Sequence, residues 1–152
     1  MNVMYLCNDS YAMIAGVSVY SLLDNNSDVD EINIFLVTED IESDNLKKLQ
    51  EIVELFHRNI FFIPKPDMAD LLGGHVEMHW WIENVFSRIF LGEVLKCYES
   101  VHRLLYIDCD TLVVGSLKDL WEMDLQGRIG AGVCEAMGDL HKKAIGLSKD
   151  DN

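Results

Sequence analysis

Short apolar runs of strand length alternate with longer apolar segments of helical spacing along most of this chain, and few architectures accommodate that alternation. Asn2–Cys7 (NVMYLC) is cut off by Asn8-Asp9-Ser10, the signature of a buried strand running into a turn. Tyr11–Leu23 is apolar almost all round, too long for a strand, and stops at Asn25-Asn26-Ser27, which predicts a buried helix. Glu31–Val37 (EINIFLV) returns to β-branched strand character. Within Glu42–Phe56, Leu46, Leu49, Ile52, Val53 and Phe56 draw one helical stripe, with Lys47, Lys48, Glu51 and Glu54 facing water. Glu42 and Asp44 sit where a helix dipole favours acids. Asn59–Ile63 reads as a strand closed by Pro64 and Pro66, which cannot continue a central ladder.

Gly73-Gly74 marks a loop, and Trp81–Tyr98 repeats apolar residues at helical spacing. Arg103–Ile107 (RLLYI) is a strand, followed by Asp108-Cys109-Asp110 and the apolar continuation Leu112-Val113-Val114. Ser116–Trp121 reads as a short capped helix, and Ile129–Val133 (IGAGV) as a glycine-containing strand. Strand, helix, strand, helix, strand predicts the α/β class: a mainly parallel sheet with helices on both faces. Ligands of such sheets gather at the carboxyl ends of the strands. With no repeat, low-complexity segment or linker, residues 1–152 read as a single domain.

Composition narrows the partners. Twelve Lys+Arg against 26 Asp+Glu give a formal net charge of −14, which argues against nucleic acid because phosphate-backbone binders present a basic face. A small diphosphate remains compatible, since a metal ion can supply positive charge locally. Cys7, Cys97, Cys109 and Cys134 form no CxxC pair and have no histidine at ligand spacing, so they read as reduced thiols of a cytoplasmic chain. No apolar run approaches the ~18 residues of a membrane span, and Met1-Asn2-Val3 lacks the basic start of a signal peptide.

The chemistry concentrates at two strand ends, Asn8-Asp9-Ser10-Tyr11 and Asp108-Cys109-Asp110-Thr111. In extended backbone, residues two apart point to the same side, so Asp108 and Asp110 can aim at one point while Cys109 turns away. Two converging carboxylates repel unless a cation sits between them, and hard Mg²⁺ or Mn²⁺ shares oxygen ligands with substrate phosphates. The competing reading is a polar turn that closes a strand.

Three segments together resemble glycosyltransferase family 8. They lie within Tyr5–Tyr20, Arg88–Leu95 and Leu104–Trp121, in the stretches VMYLCNDSYAMIAGVSVYSLL, SRIFLGEVL and LLYIDCDTLVVGSLKDLWEMDL, in the family's order and spacing. The resemblance implies a Rossmann-like GT-A domain and retaining, metal-dependent transfer from UDP-glucose or UDP-galactose to a saccharide acceptor, as in lipopolysaccharide sugar transferases and glycogenin-like enzymes. It implies that Leu6, Cys7 and Asn8 lie along the nucleobase and ribose, with Tyr11 stacking nearby. It also implies that Asp108 and Asp110 bind Mn²⁺ or Mg²⁺, and that Asp108 and Cys109 touch the ribose and diphosphate side. Arg88 matches an arginine near the sugar or diphosphate; read alone, it is equally a snorkelling surface residue. Tyr11 read alone is equally a core-facing helix residue. Asn8 stands where the family often has Asp, and it keeps hydrogen-bonding capacity without the charge.

The family pattern continues past Asn152. The resemblance therefore implies a truncated domain with impaired activity, the third metal ligand (a histidine) and the acceptor-binding face lying in a later segment. A second reading is a catalytically dead nucleotide-binding module that self-associates through surface the later segment would cover. A phosphatase of the haloacid dehalogenase type, with Asp108 as nucleophile, fits poorly, because Thr111 stands where that motif carries Gly and the motif comes late in the chain. Trp80-Trp81 read as core aromatics at a helix start. His57, His75, His79, His102 and His141 show no ligand spacing with the aspartates.

Overall fold

The computed structural model describes residues 1–67, 92 and 95–132. The loop at Gly73-Gly74, Trp80-Trp81, most of the helix expected over Trp81–Tyr98, Arg88, His75, His79, Cys134 and His141 lie outside them. The chain divides into two compact units, Met1–Trp121 and Glu122–Asn152. The first carries the sheet.

Four strands, β1 (Asn2–Cys7), β2 (Asn33–Thr38), β3 (Asn59–Pro64) and β4 (Leu105–Tyr106), form a parallel sheet in the order β3-β2-β1-β4. Helices α1 (Ala12–Asp24) and α2 (Ser43–Leu55) supply the first two crossovers, and a short α3 (Lys118–Glu122) closes the unit. The period-two alternation divides β1 between two cores. Val3, Tyr5 and Cys7 join Ile34 and Leu36 against α1 and α2. Met4 joins Phe35, Val37 and Ile63 on the opposite face, packed against Leu95, Tyr98, Val101 and Leu104. There Phe35 stacks on Phe61 at 5.1 Å, and Tyr98 meets both rings edge-on. Proline is tolerated at the end of β3 because, among the described residues, that strand has a neighbour on one side only.

Register is fixed at the amino ends by asparagines. Asn2, Asn33 and Asn59 are register partners, and their amides link β1, β2 and β3 at 3.1 and 3.0 Å. This ladder moves the start of β2 from the expected Glu31 to Asn33.

The three helices form close to where the periodicity places them. Leu49 and Val53 of α2 are buried, with Ile52 and Phe56 half-buried beside them. At α3, Ser116 Oγ accepts from Lys118 N at 3.3 Å, the expected cap. Helix α1 departs from the buried helix expected: Met13, Ile14, Val17 and Tyr20 are exposed. The sheet takes up only the face bearing Ala12, Ala15, Val19, Leu22 and Leu23. The strand expected over Arg103–Ile107 contracts to β4, because pairing to β1 is confined to Val3↔Leu105 and Met4↔Tyr106 and no second neighbour extends it among the described residues. The strand expected over Ile129–Val133 is absent over residues 129–132, where Ile129 is fully exposed. Two glycines in that run weaken an extended segment, and no described strand pairs with it.

Candidate functional site

The sheet order places a topological switch between β1 and β4. From β1 the chain builds outward through β2 and β3, then returns to add β4 on the other side. A crevice opens at such a point outside the carboxyl ends of the strands. The two polar segments singled out from the sequence leave β1 and β4 side by side at this point.

After β1, Asn8 turns the chain into a 3-10 turn over Asp9–Tyr11, its side-chain oxygen accepting from Tyr11 N at 3.2 Å. Asn8 is exposed and Tyr11 is 47% exposed, so the tyrosine is not a core residue. Asp9 Oδ1 accepts from Glu42 N at 3.0 Å and from Asn45 Nδ2 at 2.9 Å, which ties this turn to the start of α2. Those bonds, the Asn45 side chain first and the Glu42 backbone second, hold its carboxyl below the usual aspartate range.

After β4 the backbone does not stay extended. Thr111 N donates to Asp108 O at 3.2 Å and Thr111 Oγ1 donates to the same oxygen at 2.8 Å, so Cys109 and Asp110 occupy the middle of a tight turn. The two-residue spacing argument for extended backbone therefore does not apply here. Cys109 does turn inward: it is buried and donates to Leu6 O at 3.0 Å. Asp110 is exposed, while half-buried Asp108 accepts from the Tyr106 hydroxyl at 2.8 Å. That bond orients one carboxylate oxygen from within the sheet.

What holds this turn is a set of polar side chains on α1. Ser18, Ser21 and Asn26 are buried in or just past a helix that is otherwise apolar on this face. Ser18 Oγ donates to the Tyr5 hydroxyl at 3.3 Å and lies 3.2 Å from Thr111 Oγ1. Ser21 Oγ accepts from Val113 N at 3.0 Å, Asn25 Nδ2 donates to Val113 O at 3.1 Å, and Asn26 Oδ1 accepts from Leu117 N at 2.7 Å. The segment after the turn thus satisfies its backbone through α1 instead of a sheet ladder. Burial pushes the Tyr5 phenol up to about 12, against the opposing bond from Ser18.

Cys7 and Cys109 meet on the floor of the crevice. The neighbouring Cys109 lowers the Cys7 thiol, against burial and the nearby Asp9 charge. Cys109 is raised in turn by the neighbouring Cys7, by burial, and by the negative charges of Asp108 and Asp110.

Of the residues singled out from sequence, the structure gathers Leu6, Cys7, Asn8, Asp108, Cys109 and Asp110 around the β1–β4 switch, with Tyr11 one turn along; Arg88 lies outside the described residues. The sequence reading missed Asp9, Tyr106, Ser18, Ser21 and Asn26. A visible signal was the i, i+3 spacing of two serines in an apolar helix; their partners, some 90 residues away, left none.

The donor set is oxygen only on its exposed side, which suits a hard divalent cation. Among the described residues no three His, Cys, Asp or Glu side chains converge on one point. An ion of this kind normally completes its shell with water and substrate phosphate.

The parallel order β3-β2-β1-β4, with helical crossovers, defines an open, doubly wound α/β sheet. The profile of glycosyl transferase family 8 matches residues 2–151, and the chain belongs to that family. It is 29% identical over 136 residues to general stress protein A of Bacillus subtilis, covering 90% of this chain and 46% of that protein. It is 27% identical over 152 residues to lipopolysaccharide 1,2-glucosyltransferase of Escherichia coli, covering 99% of this chain and 43% of the enzyme. Among solved structures it is similar to the galactosyltransferase LgtC bound to donor and acceptor sugar analogues, with a TM-score of 0.77 at 25% identity, over 99% of this chain and 54% of that one. The sheet is thus that of the GT-A fold. The chain spans less than half the length of these curated relatives. Among the described residues no helix is long and apolar enough to cross a membrane.

Proposed function

We propose that this chain is the donor-binding part of a retaining hexosyltransferase that takes UDP-glucose or UDP-galactose and serves a saccharide acceptor. The observation that carries this reading is the meeting, at one switch point, of the Asn8 turn after β1 and the Asp108–Thr111 turn after β4. The two relatives that carry a transferase name support the chemical class.

In this reading Asn8 and the backbone of Leu6 and Cys7 bind the nucleoside, and the exposed Tyr11 ring offers a stacking face. Cys109 is turned inward, so only its backbone can face the ribose and diphosphate. Asp108 and Asp110 would hold Mn²⁺ or Mg²⁺, which supplies positive charge for the diphosphate leaving group. Tyr106 orients Asp108 through its hydroxyl. The bond from the sugar carbon to the diphosphate oxygen breaks, the acceptor oxygen bonds that carbon on the same face, and the acceptor's proton passes to the departing diphosphate. Arg88 is assigned to the sugar or diphosphate on the family pattern, and a cytoplasmic site agrees with the free thiols of Cys7, Cys97 and Cys109.

Isothermal titration calorimetry with UDP tests the reading. Wild type should bind UDP in the presence of Mn²⁺, and Asp110→Ala should lose at least tenfold in affinity, about 1.4 kcal/mol. Equal binding by both proteins would remove the metal-bridged diphosphate. A second reading, self-association, rests on the exposed apolar row Met13, Ile14, Val17 and Tyr20. Light scattering at micromolar concentration separates the two, since a clean monomer excludes it.

A further inference from the structure

We propose that Cys7 and Cys109 are a dithiol that closes to a disulfide across the crevice floor, an oxidation-sensitive lock joining its two lips. The β1–β4 ladder ends at Met4 with Tyr106, Ile107 N still donates to Met4 O at 3.0 Å, and the turn that follows sets Cys109 against the carboxyl end of β1, where Cys7 lies. Both side chains enter the same core, beneath α1. Cys109 Sγ reaches Leu6 O at 3.0 Å, the carbonyl joined to the nitrogen of Cys7, and Cys7 Sγ reaches Asn8 O at 3.2 Å. The Cys109 sulfur therefore sits against the peptide bond that enters Cys7.

A peroxide is a sufficient oxidant. One thiol takes its oxygen to become a sulfenic acid and releases water. The second sulfur then attacks the first, the S–O bond breaks, the S–S bond forms, and a second water leaves. The product loses the Cys109 S–H donor and fixes the end of β1 to the middle of the turn that carries Asp108 and Asp110. A disulfide of this kind in a reducing compartment is a redox-sensing device rather than a structural one. The inference stands on the two thiols buried together at the end of β1 and holds whatever ligand the crevice takes.

The test uses the full chain with Cys97→Ser and Cys134→Ser, which removes the exposed Cys97 and leaves only the pair. After hydrogen peroxide treatment, thiol counting in denaturant should fall from two to none, and dithiothreitol should restore both. Non-reducing peptide mapping should join the Cys7 and Cys109 peptides within one chain, and the thermal midpoint should rise on oxidation. Two surviving thiols, separate sulfinic acids, a link between chains, or an unchanged or lower midpoint would overturn the lock. Adding Cys7→Ala should leave Cys109 titratable after the same treatment; consumption at the parent rate there would also sink it.

Discussion

Asn26→Ala is the sharpest test of how the acidic turn is held. The Asn26 side chain is fully buried, accepts from Leu117 N at 2.7 Å and donates to Leu22 O at 2.8 Å. Alanine removes both partners at once. An orphaned buried backbone group costs about 1–3 kcal/mol. Leu22 O is buried in the last turn of α1, and Leu117 N is partly buried, so the first should cost near the top of that range and the second near the bottom. Their sum is about 4 kcal/mol before any small cavity is counted. With a urea dependence of about 2 kcal/mol/M for a chain of this size, the midpoint should fall by roughly 2 M. Equilibrium urea unfolding followed by tryptophan fluorescence and far-UV dichroism reads the shift. Ser27→Ala, at an exposed neighbour, should stay within about 0.5 kcal/mol of wild type. If Asn26→Ala also stays within that margin at an unchanged slope, the α1 side chains do not brace the segment.

Three further outcomes follow from the same geometry. Asp9, its carboxyl depressed by Asn45 and the Glu42 backbone, adds stability above its unfolded value of roughly 3.9, lost as pH falls through the lower folded value. The urea midpoint of wild type should therefore drop more steeply below about pH 4 than that of Asp9→Asn, and parallel curves would refute the clamp. The Tyr5 phenol, raised to about 12 by burial, should stay un-ionised in absorbance titration at pH 11, and stability should decline as pH climbs from about 10 toward 12. At Gly16, a new Cβ would meet Ile52 Cδ1 at 3.1 Å, the end of a half-buried side chain that can shift. Gly16→Ala should thus keep most of the ~1 kcal/mol helix gain, and a fall in thermal midpoint would show that the α1–α2 contact is rigid.

The sheet was readable because its inner strands β1 and β2 are buried on both faces, which writes them as continuous apolar runs. β1, β3 and the helix starts fall within a residue or two of their expected places. The register ladder was not readable, since three isolated asparagines announce nothing until the strands are aligned. The exposed face of α1 was missed for a physical reason. An apolar residue is compatible with solvent as well as core, so near-uniform apolarity predicts full burial without requiring it. For the candidate site, residue types and approximate place were legible at Asp108 and Asp110, but local conformation was not. Thr111 bends the run into a turn through two bonds to Asp108 O, and hydroxyl-to-backbone bonds of this kind compete with extended structure.

This difference bears on how the acidic turn can work. β4 contributes only two residues to the sheet, too few to fix a carboxylate at its end. The rigidity comes instead from two other directions: Tyr106 gripping Asp108 from below, and Ser18, Ser21 and Asn26 gripping Thr111, Val113 and Leu117 from the side. Buried, fully partnered polar groups specify one arrangement more sharply than apolar contacts, because slipping the segment by one residue would orphan several donors together. Helix α1 follows directly from the Asn8 turn, so one element positions both lips of the crevice. A substitution in the buried polar row of α1 therefore acts on the site through the turn it braces, without touching a ligand.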